Sequence, residues 1–167
     1  ASRMLREYVT RLYIPAALAG RAVEENGYRL ARDLSAWSQR VREAWPQVRV
    51  DHIEAEGAGE TAALGSTIVV QAHVNLGSLT PQDVDVQVAY GRVDADDRIH
   101  DATVVSMTPD QDLGGQSWVY SAQVPLSVNG SFGYTVRAVP RHEGLAFVAE
   151  LGLQAVPQSD RVAVAPV

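Results

Sequence analysis

Pro46 separates two stretches whose apolar residues follow different periods, and this break governs what the chain can fold into. Before it, Leu30, Leu34, Trp37, Val41 and Ala44 recur at alternating steps of four and three, which places them on one helical stripe. Arg29, Arg32, Arg40, Arg42 and Glu43 fall mostly off that stripe. Trp45 precedes the proline, a position biased away from helical dihedrals, so the helix is expected to end there. An earlier helix is expected after Ser2, a capping residue, with Leu5, Tyr8 and Leu12 on one face and Glu7 and Arg11 paired on the other. Pro15 stops or re-aims it, and Gly20 and Gly27 weaken any helix between. Helices with an apolar face are marginal alone in water. They must pack on each other, on the stretch after Pro46, or on a body outside this chain.

After Pro46 the apolar residues alternate, as in strands with one buried face. Ile68, Val70, Ala72, Val74 and Leu76 interleave with Thr67, Val69, Gln71, His73 and Asn75. Val84, Val86, Val88 and Tyr90 form a second inward set; Trp118, Tyr120, Ala122 and Val124 a third; Phe132, Tyr134, Val136 and Ala138 a fourth. Val48 and Val50 begin a strand, Thr103 to Met107 gives a short one, and Leu151, Leu153 and Ala155 are expected in the last. Turns are expected at residues 77–83, 94–97 and 110–115, and Asn129-Gly130 is a hairpin signal. About seven short strands with turns this regular predict a mainly β fold. It is a helical segment over residues 1–46, an immunoglobulin-like antiparallel β-sandwich over 47–157, and a tail over 158–167.

At 167 residues the chain has the size of one domain, or one domain with an appendage. A net charge of −6 argues against nucleic acid, whose phosphates require a basic surface. Cysteine is absent, which leaves no disulfide framework or thiolate metal site and fits a cytoplasmic protein. All fourteen basic residues are arginine. Without lysine, neither a pyridoxal Schiff base nor a Walker phosphate loop can be completed within the chain. No apolar run approaches the ~20 residues of a membrane-spanning helix. Arg3, Arg6, Glu7 and Arg11 interrupt the first stretch where a signal peptide needs an apolar core.

Local motifs for chemistry are weak. Gly57 to Ala62 has dinucleotide-fingerprint spacing, but Gly65 and a strand come next where a helix must open. Asp94, Asp96, Asp97 and Asp101 cluster with His100, yet a calcium loop would need Glu where Val105 stands; a solvated turn is the better reading. His52, His73, His100 and His142 show no metal-pair spacing, and no Gly-x-Ser-x-Gly elbow occurs. Glu54 and Glu56 could share a strand face beside a loop and read as surface charges rather than a glycosidase pair. No catalytic, cofactor or metal residue is assigned. Trp118 and Tyr120 are candidate glycan contacts, because aromatic rings stack on pyranoses, though their shared face with Ala122 and Val124 reads more strongly as core. Tyr134 could form a tyrosine corner.

Several segments, in order, carry a resemblance. Residues 2–13 (Ser2-Arg3-Met4-Leu5-Arg6-Glu7-Tyr8-Val9-Thr10-Arg11-Leu12-Tyr13) are similar to a late helix of bacterial alpha-glucan phosphorylases. The tryptophan-bearing basic helix from Ala36-Trp37 to Trp45-Pro46 comes next, then Val88-Ala89-Tyr90-Gly91-Arg92-Val93. Gly130 to Arg137, Pro140-Arg141-His142 and Glu150 to Leu153 complete the likeness, which covers nearly the whole chain. The resemblance implies a carboxy-terminal, non-catalytic region of an enzyme that transfers glucosyl units from α-1,4-glucan to phosphate, giving glucose 1-phosphate. It implies pyridoxal phosphate on a lysine elsewhere in the parent, and the parent's catalytic lobes as partner. Self-association through the helical segment is expected in isolation. The alternative is a glycan-binding β-sandwich module that holds α-glucan near the cleft.

Overall fold

The computed structural model describes residues 6, 9–14, 17, 28–56, 65–96, 98–126, 132–157 and 163–165. Val9–Tyr13 forms a π-helical turn. The Ser2 cap, the Leu5 and Tyr8 positions, the glycine-rich stretch 57–62 and the Asn129-Gly130 hairpin lie outside the described residues. Helix α1 (Arg29–Ala44) adopts the predicted stripe, with Trp37, Val41 and Ala44 buried. It ends where the proline demands, and Pro46 is absorbed into a 3-10 turn, Trp45–Gln47, whose first residue is also buried.

Eight strands are described: β1 (Arg49–Glu56), β2 (Thr67–Asn75), β3 (Val84–Val93), β4 (Ile99–Ser106), β5 (Thr108–Gly114), β6 (Ser117–Pro125), β7 (Phe132–Pro140) and β8 (Ala163–Ala165). They make two four-stranded sheets, in the orders β1-β2-β6-β5 and β4-β3-β7-β8, and every ladder is antiparallel. This is the A-B-E-D and C′-C-F-G arrangement of an immunoglobulin-like sandwich. The four alternating runs seen in sequence are β2, β3, β6 and β7, the two inner strands of each sheet. Their inward residues, among them Ile68, Val70, Val74, Val86, Val88, Tyr120, Val124, Phe132 and Val136, form a single core.

Three local expectations differ. The sequence predicts a turn at residues 110–115, but Thr108–Gly114 pairs with β6 as an edge strand. Its sequence gives no apolar alternation because all seven residues are exposed. The strand expected at Thr103–Met107 starts earlier, at Ile99, and stops before Met107, which is buried where the chain crosses between sheets. The run 151–155 is not a ladder strand. Only Ala155 bridges Ala138, with mutual backbone bonds of 2.8 and 2.9 Å, and Pro157 bridges Val50. Those two bridges tie β7 of one sheet to β1 of the other, closing that side of the sandwich.

Trp37, Val41, Ala44 and Trp45 belong to the same cluster as the sandwich interior. The helical part from Arg29 onward is therefore packed on its own β module. Where the Trp45–Gln47 turn meets the β2–β3 turn, Gly77 has φ +57° and a Cβ added there would lie 2.6 Å from Gln47 Cβ, so glycine is required on both counts.

Candidate functional site

Among the described residues Asp83, the last residue of the turn before β3 and 6% exposed, is a buried and densely bonded ionisable group. Its carboxylate accepts five hydrogen bonds. Trp37 Nε1 donates at 2.8 Å, the Arg40 guanidinium at 2.6 and 3.1 Å, the Thr80 amide at 3.1 Å and the Thr80 hydroxyl at 2.8 Å. Trp37 and Arg40 sit one turn apart on α1, so a single helix face reaches one carboxylate with both. Burial alone would raise the Asp83 carboxyl; the bonds from Arg40, Thr80 and Trp37 overcome it and hold the group well below the usual carboxylate range. The Arg40 pKa is raised in turn, chiefly by its hydrogen bond to Asp83. Behind this pair the Trp37 ring packs on His142, with centroids 4.6 Å apart, and the Arg141 amide donates to the Asp83 carbonyl at 2.8 Å. Helix, β2–β3 turn and the segment after β7 therefore meet at one acid. Periodicity places Arg40 off the apolar stripe as an outward charge, and no local motif singles out Asp83. The signal available in the sequence is a lone acid beside Pro81, opposite a helix carrying Trp and Arg three apart.

The acidic turn is self-contained. Asp94 Oδ1 accepts the amides of Asp96 and Arg98 at 2.9 and 3.0 Å, and Oδ2 lies 2.5 Å from His100 Nε2. The His100 bond and these amides lower the Asp94 pKa to about 2. Asp97 lies outside the described residues, and among the described residues no three His, Cys, Asp or Glu side chains are grouped to hold a metal. His52 and His73 are cross-strand neighbours on the outer face of the β1/β2 pair, rings edge-on at 5.8 Å, with Glu54 3.8 Å from His52. Glu56 sits opposite Val69 at the end of the same ladder.

Trp118 and Tyr120 face the interior from β6, opposite Val74 and Ala72. Tyr120 is 1% exposed, so its ring offers no face to a sugar in this conformation; burial, with Asp85 nearby, pushes its hydroxyl up to about 12. Trp118 is only partly buried and is the member of the pair that solvent can reach. Tyr134 is buried opposite Tyr90 in β7, and its hydroxyl makes no tyrosine-corner bond to a described residue.

A groove of about 390 Å³ opens beside the Asp83 junction. Asp85 and Ser106 lie on one side, where Ser106 Oγ and Gln87 Nε2 both donate to the Asp85 carboxylate, at 3.1 and 2.7 Å. Arg141, His142 and the apolar segment Leu145 to Val148 form the other. A second, smaller recess of about 250 Å³ lies over the β3–β4 bulge between Arg92, His100 and Phe132.

A family model described as glycogen phosphorylase C-terminal domain matches residues 45–158. A glycogen phosphorylase of Mycobacterium tuberculosis (strain CDC 1551 / Oshkosh) is 40% identical over 153 residues, covering 92% of this chain and 18% of that protein. A maltodextrin phosphorylase of Thermococcus litoralis is 27% identical over 154 residues, 90% of this chain and 17% of that protein. The chain thus spans less than a fifth of the length of these curated relatives. Among solved structures, an alkylpurine DNA glycosylase of Pseudomonas fluorescens aligns at 14% identity over 78% of this chain and 46% of its own, with a TM-score of 0.39, too low to bear on fold or function.

Proposed function

The chain belongs to the glycogen phosphorylase C-terminal domain family, and on that premise we propose that it is a non-catalytic support for an alpha-glucan phosphorylase. The parent reaction would move a glucosyl unit from an α-1,4-glucan to phosphate. The observation that carries the support reading is the Asp83 junction. The buried acid of the described residues is saturated by five donors, and the donors come from the helix and the turn it joins. A carboxylate so placed fixes the attitude of α1 on the sandwich and is withheld from proton transfer, because protonation would break the junction.

Pyridoxal phosphate belongs elsewhere in such a parent. Its Schiff base needs a lysine amine, and this chain has none. No step of the reaction is therefore assigned to residues here. The proposed partner is the catalytic body of the same polypeptide, in a cytoplasmic enzyme. Self-association through the helical segment would have to use residues before Tyr28, since the α1 stripe is covered by the sandwich.

The rival function, glycan holding, would rest on Trp118. Isothermal titration of the chain with maltoheptaose and with glycogen separates the two. The support reading expects no heat at millimolar ligand, and no glucose 1-phosphate release by the chain alone. Saturable binding abolished in a folded Trp118→Ala variant would replace it with the glycan-binding reading.

A further inference from the structure

The segment after β7 carries an apolar tip that is exposed yet held. Phe147 and Val148 are neighbours in sequence, 40% and 45% exposed. Their turn is closed by its own bonds: the Ala146 amide donates to the Glu150 carboxylate at 2.9 Å, and the Glu150 amide to the Phe147 carbonyl at 3.0 Å. The Leu145 amide donates to the His142 carbonyl at 3.1 Å, and the Gly144 amide to His142 Nδ1 at 3.0 Å. An apolar tip fixed in this way loses little conformational entropy when covered. It walls the 390 Å³ groove, and Arg141, in the same groove, is exposed and forms no ion pair with an acid among the described residues.

Position identifies the occupant. The tip segment is locked to α1: Trp37 stacks on His142, and Leu34 approaches Gly144 so closely that an added Cβ would lie 3.4 Å from Leu34 Cδ2. Helix α1 leads into the β module from its N-terminal side, and in the relatives more than four fifths of the protein lies outside the matched part. A body attached through α1 is therefore delivered to the end of the sandwich where this groove opens, and away from the first half of β4, Ile99 to Thr103, which pairs with the far end of β3.

We propose that the groove between Asp85, Arg141 and the Phe147–Val148 tip is the docking surface for the preceding phosphorylase body of the same polypeptide. It takes a segment that offers apolar side chains to the tip and a carboxylate to Arg141. The proposal rests on the support reading and adds which face does the supporting.

Hydrogen exchange compares the full-length phosphorylase carrying this sequence with the 167-residue chain. Amides of residues 145–151 should exchange at least tenfold more slowly in the full-length enzyme, while those of 99–103, at the far end of β4, exchange alike in both. Full-length enzyme with Phe147→Asp and Val148→Asp should lose that protection. The same pair of changes should leave the melting of the 167-residue chain unaltered, since both side chains are exposed. Equal exchange of 145–151 in both wild-type proteins overturns the groove assignment. If protection appears instead at 99–103, the groove is wrong and the support role stands. If no part of the chain is protected and its deletion leaves the phosphorylase's melting and turnover unchanged, both fall. Protection that rises with concentration in the 167-residue chain alone would mark the groove as a contact between copies, which also overturns the proposal.

Discussion

Asp83 shows how one side chain can set the relation of two elements. Its loss leaves Trp37 Nε1, buried with its ring, and the Thr80 amide and hydroxyl without their acceptor. Unpaired buried donors are costly, so Asp83→Ala should lower unfolding free energy by about 3 kcal/mol in urea melts. Arg40→Ala should cost less, because the guanidinium is half exposed and water can replace it. The same acid sets a pH dependence. Its folded pKa lies below the ordinary 3.8, so across that interval the unfolded chain binds a proton that the folded chain does not. Stability should be fully present above pH 4, roughly, and be withdrawn as pH falls from there towards the depressed folded value. Melts at a series of pH values should show this acid slope in the wild type and a shallower one in Asp83→Asn. An unchanged slope would assign the effect to other carboxylates such as Asp94, which titrates with the same sign.

At the scale of elements, legibility tracks burial. Helix α1 and strands β2, β3, β6 and β7 are readable because each has one buried stripe or face, and a period survives in such a sequence. β5 is hidden because an edge strand exposed on every residue carries no hydrophobic period; Pro109, Asp110 and Asp112 are the residues that keep such an edge from pairing further. Leu151 to Ala155 alternates like a strand but makes a single bridge, because its partner edge on β7 is shared with β8. Which surface the α1 stripe would cover is not readable at all. Periodicity gives the direction of a face and says nothing of its partner, and the acid that specifies the partner lies more than forty residues away. The packing of α1 also bears on the family domain, whose match begins at residue 45. A chain started at Trp45 keeps every strand but loses Trp37, Val41 and Ala44 from the core, and strips Asp83 of its Trp37 and Arg40 donors. Burial of Val41 and Trp37 alone is worth about 4 kcal/mol. This shorter chain should unfold at distinctly lower urea than one started at residue 28, and should bind more of an apolar dye. Equal midpoints would mean that α1 only rests on the sandwich.

For the molecule as a whole, the decisive feature is how the sandwich deals with its edges. On one side the chain crosses between sheets at buried Met107, so β4 and β5 are joined covalently, and β5 is exposed along its whole length. On the other, β1 and β7 belong to different sheets and are held by the returning segment, through Ala155 on Ala138 and Pro157 on Val50. That segment has already passed through the apolar tip at Phe147 and Val148, so the surface proposed for docking and the closure of the sandwich are one continuous piece of backbone. A chain ending at Leu153 should therefore suffer twice. It loses both bridges, and it bares the β7 edge, a row of unpaired amides and carbonyls ready to pair with another copy. Sedimentation at several concentrations should show this shortened chain associating under conditions where the 167-residue chain does so less. Pairing of edges is the cause if adding back a peptide of residues 154–167 in excess reverses it. Association unaffected by that peptide would place the contact elsewhere, on the face of the helix rather than the edge of the sheet.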